Sequence, residues 1–456
     1  MRRKKKKPAK EVKDNSNDMA LQPAKQLKTC MIHSSEYTLA LHHGMHFIHK
    51  DRDLLLSSLL VSCNLLGNSS ISSALSAIPP SLATKQNMSA FHTVDYLNQL
   101  ECYSSSQNQF ETKISTETFK RDAGRLYGLE DDCSLPESHQ GRCNLWRYCQ
   151  YVAGASITAA YLLMKDDCWD IAINWGGGRH HAFASSASGF CFVNDTVLSI
   201  QHLVASSCAR VLYLDIDIHH SDAVQEAFYD NCQVLTVSFH RSAPGFFPTD
   251  SRSSFSDRGV GAGFGYNVNI PLPQGLSDSD FLHVYKSALE SFVETFQPNY
   301  IVLAVGADGL AHDPLVTTVD GGWHLTSKGI ASCVEATVDA VHRSSTMKCL
   351  LLGGGGYSDV NAARTFVACT AAACGCSDVL PTIISSQDTF ILRYSPDYSL
   401  HTNSAAATMS CTIRSSNKYQ EEFSKAIEVI QTASDFIQFK QKYNTLEEIQ
   451  KQDIAW

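Results

Sequence analysis

Five short apolar runs begin at Asp170, Arg210, Gln233, Tyr300 and Lys348. Each is apolar without alternation, which is the pattern of a strand buried on both faces. Between them lie stretches with helical spacing, such as Asp195 to Ala205 and Phe281 to Phe296. Strand and helix in alternation predict an α/β fold, a parallel sheet covered by helices on both faces. In such sheets ligands bind beyond the carboxyl ends of the strands. Phe423, Ile427, Ile430 and Ile437 also keep near-helical spacing and predict a helix packed on the body. The chain has no internal repeats.

Several strand ends carry unusual chemistry. The run Val211 to Asp222 reads VLYLDIDIHHSD, so a buried strand leads directly into Asp215, Asp217, His219, His220 and Asp222. Such groups are costly to bury unless something binds them, and a divalent metal is the simplest occupant. Asp217 and His219 lie two apart, which places both on one face of an extended chain. Oxygen with imidazole suits zinc or a similar first-row ion, and a catalytic zinc commonly takes three protein ligands. The third candidate is Asp308, just beyond the apolar run Tyr300 to Val305. The plainer alternative is that Asp217 and His219 cap the following helix.

A second strand, Asp170 to Trp175, is followed by three glycines, Arg179, His180 and His181. The histidines could belong to an ordinary polar loop. A histidine used as acid or base needs a partner that fixes its tautomer, and Asp215 and Asp222 can supply one each. Leu350 to Tyr357 reads LLLGGGGY. Its glycines could cradle phosphate, but no GK[ST] follows; Tyr357 stands where a phenol could donate to a developing oxyanion.

The stretches GGGRHHAFASSASGFCFVND, LYLDIDIHHSD, PGFFP, GADGLAHDP and LLGGGGY, in that order, resemble the zinc-dependent class I histone deacetylases. Arg393 to Tyr398 is most similar to the histone deacetylase 8 branch. The resemblance implies one arginase/deacetylase-like domain with its active site at the C-terminal ends of the strands. It implies zinc on Asp217, His219 and Asp308, with iron as the other candidate ion. His180 would pair with Asp215 and His181 with Asp222, and Tyr357 would polarise the acetyl carbonyl. Gly189, Phe190 and Phe247 would line the acetyl-lysine tunnel, Leu315 its mouth, and Arg52 would lie below the metal near the acetate exit. A structural potassium ion is implied near Asp215, Asp217, His219 and Phe239, with the Asp215 and Ser238 side chains contributing.

Some positions depart from the family pattern. Ser221 and Ala223 replace glycines, so the turn presenting Asp222 would change if those glycines had positive φ. Thr249, Asp250 and Ser251 alter a tunnel loop, Arg179 replaces a tryptophan beside the exit channel, and His312 replaces a small residue four positions after Asp308. Cys102 to Gln109 offers no rim carboxylate. Pro314 and Val360 stand where two phosphate-binding arginines are implied, so an inositol-phosphate-bridged corepressor complex is not expected.

Composition adjusts this picture at the margins. The chain has 456 residues, 44% hydrophobic and 18% charged, enough for one large domain with tails. No apolar run reaches the roughly 20 residues of a membrane helix, and the first residues lack a signal-peptide core. The 16 cysteines show no paired CxxC spacing, so most should be buried in a reducing compartment; Cys191, beside Phe190, is the expected reactive one. Within a net charge of -9, Arg2 to Lys7 form a basic cluster. It predicts a disordered tail over 1–27 and nuclear import, with the cytoplasm a second compartment. The expected catalytic domain spans 28–440, with a surface insertion near 104–120, a linker near 403–417 and a tail over 441–456.

The reading is a metal-dependent amidohydrolase that deacetylates lysine on histone tails and other proteins, acting in chromatin and transcriptional repression. Neither sequence-specific nucleic-acid binding nor membrane association is expected. The alternatives are an acetylpolyamine or other small-molecule deacylase, and a weakly active chromatin scaffold.

Overall fold

Among the described residues, eight strands pair side by side in parallel in the order β2-β1-β3-β8-β7-β4-β5-β6. They are β1 (Thr29–Ile32), β2 (Leu75–Ile78), β3 (Ile171–Asn174), β4 (Val211–Asp215), β5 (Val234–Arg241), β6 (Asn267–Leu272), β7 (Tyr300–Ala304) and β8 (Lys348–Leu352). This computed structural model describes residues 27–44, 48–67, 75–106, 126–129, 145–165, 168–205, 209–249, 251–316, 321–402 and 414–442. The basic segment through residue 26, residues 107–120 of the expected insertion, 403–413 of the expected linker and 443–456 lie outside them.

The apolar runs become strands because both faces of the sheet are covered. Along β4, Leu212 and Leu214 join one core and Val211 and Tyr213 the other, and β7 and β8 divide in the same way. The second of these cores packs on α1 (Ser35–Gly44), while α2 (Arg52–Ser62) lies on the first. The short α3 (Lys85–Met88), then α4 (Val94–Ser106), α5 (Leu145–Met164) and α6 (Asp195–Ala205) join α1 on its face. A short α7 (Asp222–Ala227) follows the acidic strand end. The opposite face carries α8 (Asp278–Phe296), α9 (Ser327–Arg343), α10 (Asp359–Ala373) and α11 (Asn417–Lys442).

Local chemistry sets several helix starts. Ser277, Thr326 and Ser358 each accept a backbone N–H three residues on, satisfying amides that the first turn leaves without partners. The C-terminal helix buries Tyr419, Ala426, Val429, Ile430 and Ile437 as its spacing predicts. It begins at Asn417 and runs to Lys442, so it takes up the end of the expected linker and two residues of the expected tail. Ser104 to Ser106 belong to α4 and not to an insertion, and the Ser104 hydroxyl accepts the Trp146 amide.

Three strands were not anticipated. β1 and β2 have only four residues each, and β6 contains Pro271. A proline without an N–H argues against a central strand, but β6 is an edge of the sheet, where the missing donor costs little. Register then does the positioning. Asn174, Leu352, Ala304 and Asp215 stand in one row at the ends of the adjacent strands β3, β8, β7 and β4. The four loops that leave this row start level with one another.

Candidate active site

Those four loops bring together residues that are far apart in the sequence. Asp217 and His219 follow β4, and Asp308 follows β7; one donor atom from each lies within 4.8 Å of the other two, and all three residues are buried. His219 Nδ1 is 3.0 Å from Asp217 Oδ1 and 2.9 Å from Asp308 Oδ2. Backbone amides take up other lone pairs: Gly355 N–H donates to Asp217 Oδ2 at 2.7 Å and Ile218 N–H to Asp308 Oδ1 at 3.1 Å. These amides fix the carboxylates so that each still presents an oxygen to the imidazole.

Two carboxylates this close repel each other unless a cation neutralises them. Burial and the charge of Asp217 push Asp308 up to about 7, while burial of Asp217 is outweighed by His180 and His219, which hold it well below the usual range. Burial opposes a charge on His219, but Asp217 and Asp308 hold its proton up to about 10. One imidazole nitrogen and two carboxylate oxygens converging on a point form a donor set suited to a first-row divalent ion. The glycine run serves this arrangement. A Cβ on Gly355 would meet Asp308 Oδ2 at 2.2 Å and Asp217 Oδ2 at 2.9 Å. The acidic surroundings rule out a phosphate cradle here.

The tandem histidines leave β3 and face the same carboxylates. His180 Nδ1 is 2.6 Å from Asp215 Oδ2, and His181 Nδ1 is 2.8 Å from Asp222 Oδ1. The Tyr213 hydroxyl also donates to Asp215. Burial opposes protonation of His180, but Asp215 and Asp217 outweigh it and raise its pKa to about 9. Burial and the neighbouring His180 lower His181 to about 4, against the pull of Asp222. At neutral pH one ring is a cation and the other an available base. With Nδ1 committed to Asp222, His181 presents Nε2 as its acceptor.

Ser221 and Ala223 do not disturb this geometry. Ser221 has φ −77, and Ala223 lies in α7, so neither position requires glycine.

Aromatic walls surround the triad. The Phe247 ring is 4.9 Å from that of His181 and 6.0 Å from that of His219, and Phe190 is 5.9 Å from Tyr357. Gly189 has φ +52, and a Cβ there would strike the His181 ring at 2.6 Å and Phe247 Cε1 at 2.9 Å. Phe190 has φ 61, unusual for a bulky residue and of the kind found at ligand clamps. Leu315 is 39% exposed, as a position at a rim would be. The Tyr357 amide donates to Asp313 Oδ2 at 2.8 Å. Burial, Asp308 and Asp217 raise the Tyr357 hydroxyl well above its usual pKa, so it remains a donor at neutral pH.

Arg52 is fully buried, with Nη1 donating to Gly354 O at 2.9 Å, one residue from the amide that holds Asp217. Asp215 and Ser238 are register partners on β4 and β5, next to the fully buried Phe239. Cys191 is buried, its thiol donating to Gly189 O at 3.4 Å, whereas Cys102, Cys168 and Cys232 are exposed; the expectation of a reactive Cys191 therefore fails on access. His312 is exposed with φ 66, a loop residue and not part of the site.

Sequence reasoning passed over several residues that support the site. His49 stacks on Tyr357 with ring centroids 5.2 Å apart, and Phe246 stacks on His219 at 5.3 Å. Asp313 lies within GADGLAHDP, where its spacing signals no role, and Tyr213 lies within an apolar strand. His49 carried no local signal.

The histone deacetylase domain profile matches residues 46–373. Among curated proteins the chain is 35% identical over 370 residues to "Histone deacetylase 8" of Xenopus tropicalis, covering 81% of this chain and 89% of that protein. It is 35% identical to "Histone deacetylase 8" of Danio rerio, covering 71% and 77% respectively. Against "Histone deacetylase 1" of Homo sapiens it is 35% identical, covering 80% and 68%.

Proposed function

The chain belongs to the histone deacetylase family, and from that premise we propose how its residues carry out the hydrolysis of N6-acetyl-lysine to lysine and acetate. Asp217, His219 and Asp308 hold a divalent ion, zinc first and iron(II) as the other candidate. When bound, that ion polarises the acetyl carbonyl and acidifies a water molecule.

Every other step belongs to the chain. His181, neutral at physiological pH and oriented by Asp222, accepts the water proton at Nε2 as the water oxygen adds to the carbonyl carbon. Tyr357 donates its hydroxyl to the resulting oxyanion. His180, kept cationic by Asp215 and Asp217, adds positive potential beside the developing charge. The C–N bond then breaks as His181 returns the proton to the departing amine. Gly189, Phe190 and Phe247 line the acetyl-lysine path, Leu315 sits at its entrance and Arg52 lies beneath the site. Asp215, Ser238 and Phe239 hold a structural potassium ion.

The observation that carries this reading is the pair of buried His–Asp contacts, 2.6 and 2.8 Å long, beside the converging triad. The substrates are acetylated histone tails and other acetyl-lysine proteins, met in the nucleus and secondarily the cytoplasm. Pro314 and Val360 offer no cation to phosphates, so activity does not depend on an inositol-phosphate-bridged corepressor.

The test is turnover of an acetyl-lysine peptide and of acetylspermidine by purified protein, with and without a metal chelator. Chelator-sensitive peptide turnover is expected. Faster turnover of acetylspermidine would move the substrate to polyamines, and chelator-resistant turnover would remove the metal.

A further inference from the structure

A buried histidine lies against the tyrosine that meets the oxyanion. His49 is 6% exposed, and its ring stacks on that of Tyr357 with centroids 5.2 Å apart and planes 29° apart. Phe190 meets the same phenol edge-on at 5.9 Å. Both flanking residues hold left-handed backbone, φ 57 at His49 and φ 61 at Phe190. Side chains with a Cβ rarely adopt that region, and it persists where the surroundings over-determine it.

The residues before Tyr357 cannot hold it in place themselves. A Cβ on Gly354 would crowd Asp217 Oδ2 at 3.0 Å, as one on Gly355 would crowd both carboxylates, so the metal-binding triad requires bare backbone here. Gly356 has φ +120, a conformation open to glycine and to little else. That freedom has to be removed from outside, and the loop of His49 runs alongside. Arg52 Nη1 donates to Gly354 O at 2.9 Å, and the Asp51 amide donates to Asp359 Oδ2 at 3.1 Å. His49 stands with these two anchors and serves the stretch between them.

The tautomer of His49 follows from its neighbours. Burial, then the charges of Arg52 and Arg179, hold the imidazole well below its usual pKa, so the ring is neutral at physiological pH. Its Nδ1 is 3.3 Å from Arg52 Nη1, and a guanidinium can only donate, so Nδ1 is the acceptor. The proton is left on Nε2, available to the Gly356 backbone, whose hydrogen bond with the ring pulls its pKa the other way. One ring therefore covers the face of the phenol and ties the glycine before it.

We propose that His49 is a positioning residue for the deacetylation, a brace that fixes the ring of Tyr357 and the backbone before it so that the hydroxyl is aimed before the oxyanion forms. Resting on the deacetylase reading, this role adds a third constraint on Tyr357. Asp313 holds its amide, Phe190 meets the ring edge-on, and His49 holds the stacked face. An oxyanion donor is effective when its direction is set in advance, because reorientation during the reaction would consume part of what the hydrogen bond gains.

The first measurement is fluorine NMR of the full chain with fluorotyrosine placed at position 357. It needs no turnover, so its failure is separate from failure of the deacetylase reading. The otherwise unsubstituted chain should give one sharp resonance. His49→Asn, which tolerates left-handed backbone, should give a broadened or divided one, and His49→Ala repeats the test without any polar group. A resonance that stays single and sharp in both variants overturns the brace. The second measurement is a double-variant cycle on peptide turnover. His49→Asn should lower kcat about tenfold to hundredfold, with KM within about twofold and metal content unchanged. In a Tyr357→Phe protein the same change should lower kcat by less than about twofold, because no hydroxyl remains to be aimed. Equal losses with and without the hydroxyl, or a loss carried by KM alone, overturn the role.

Discussion

His180 and His181 are adjacent in the chain with ring centroids 4.0 Å apart, yet their surroundings drive them to opposite charge states, about 9 for His180 and about 4 for His181. The division arises because one faces Asp215 and Asp217 while the other faces a single carboxylate and a neighbouring cation.

A pH prediction follows. The proposed rate depends on neutral His181, so with its pKa near 4 activity should lose no base between pH 5 and 8 through this group. His180→Ala removes a cation that holds His181 down, so the His181 pKa rises. The acid limb of kcat/KM should then move to higher pH, with activity at pH 5.5 falling relative to pH 8 more than in the wild type. Superimposable normalised profiles would show that the two rings are uncoupled.

Removing one metal donor should abolish metal binding and hydrolysis together. Asp308→Asn and His219→Ala each leave two donors where three converge, too few to hold a catalytic ion. Metal stoichiometry by mass spectrometry and peptide turnover should fall in parallel, with circular dichroism unchanged. Wild-type metal content with retained turnover would refute the ligand assignment.

Tyr357→Phe should lower turnover by about two to three orders of magnitude with peptide binding largely kept, as for loss of one oxyanion donor. Steady-state kinetics together with peptide affinity would separate the two effects. An unchanged kcat would mean that the hydroxyl does not reach the oxyanion.

Stability depends on packing below the site. Trp175 is 1% exposed, stacks on Phe366 at 4.9 Å and donates Nε1–H to Thr370 Oγ1 at 2.9 Å. Trp175→Ala should cost about 3–5 kcal/mol through lost burial and a cavity. Thr370→Val, which leaves the indole N–H buried without a partner, should cost about 1–3 kcal/mol. Denaturant unfolding would measure both, and a cost below that of an exposed substitution would contradict the packing.

The basic cluster Arg2 to Lys7 makes a prediction independent of the site. Deleting residues 1–13 should move a fluorescent fusion from nucleus to cytoplasm while in-vitro turnover persists, since clustered cations are readable by import receptors. Unchanged nuclear enrichment would place the signal elsewhere.

By itself the sequence determined the alternation of strands and helices, because each central strand is apolar on both faces and each crossover helix carries an apolar stripe. It also determined the chemistry at the strand ends, since Asp217 and His219 are near neighbours whose cost of burial is visible locally. The tertiary structure decided which groups meet. Asp308 lies 89 residues from His219 and reaches it only because β7 and β4 share a register, and β6 became a strand despite Pro271 because it is an edge. In the sequence Arg52 and Arg179 are separate positions, one placed beneath the metal by resemblance and one a departure from the family pattern. That they form one buried group of unsatisfied donors depends on where the ends of β3 and β8 and the start of α2 meet, and no local pattern encodes that meeting.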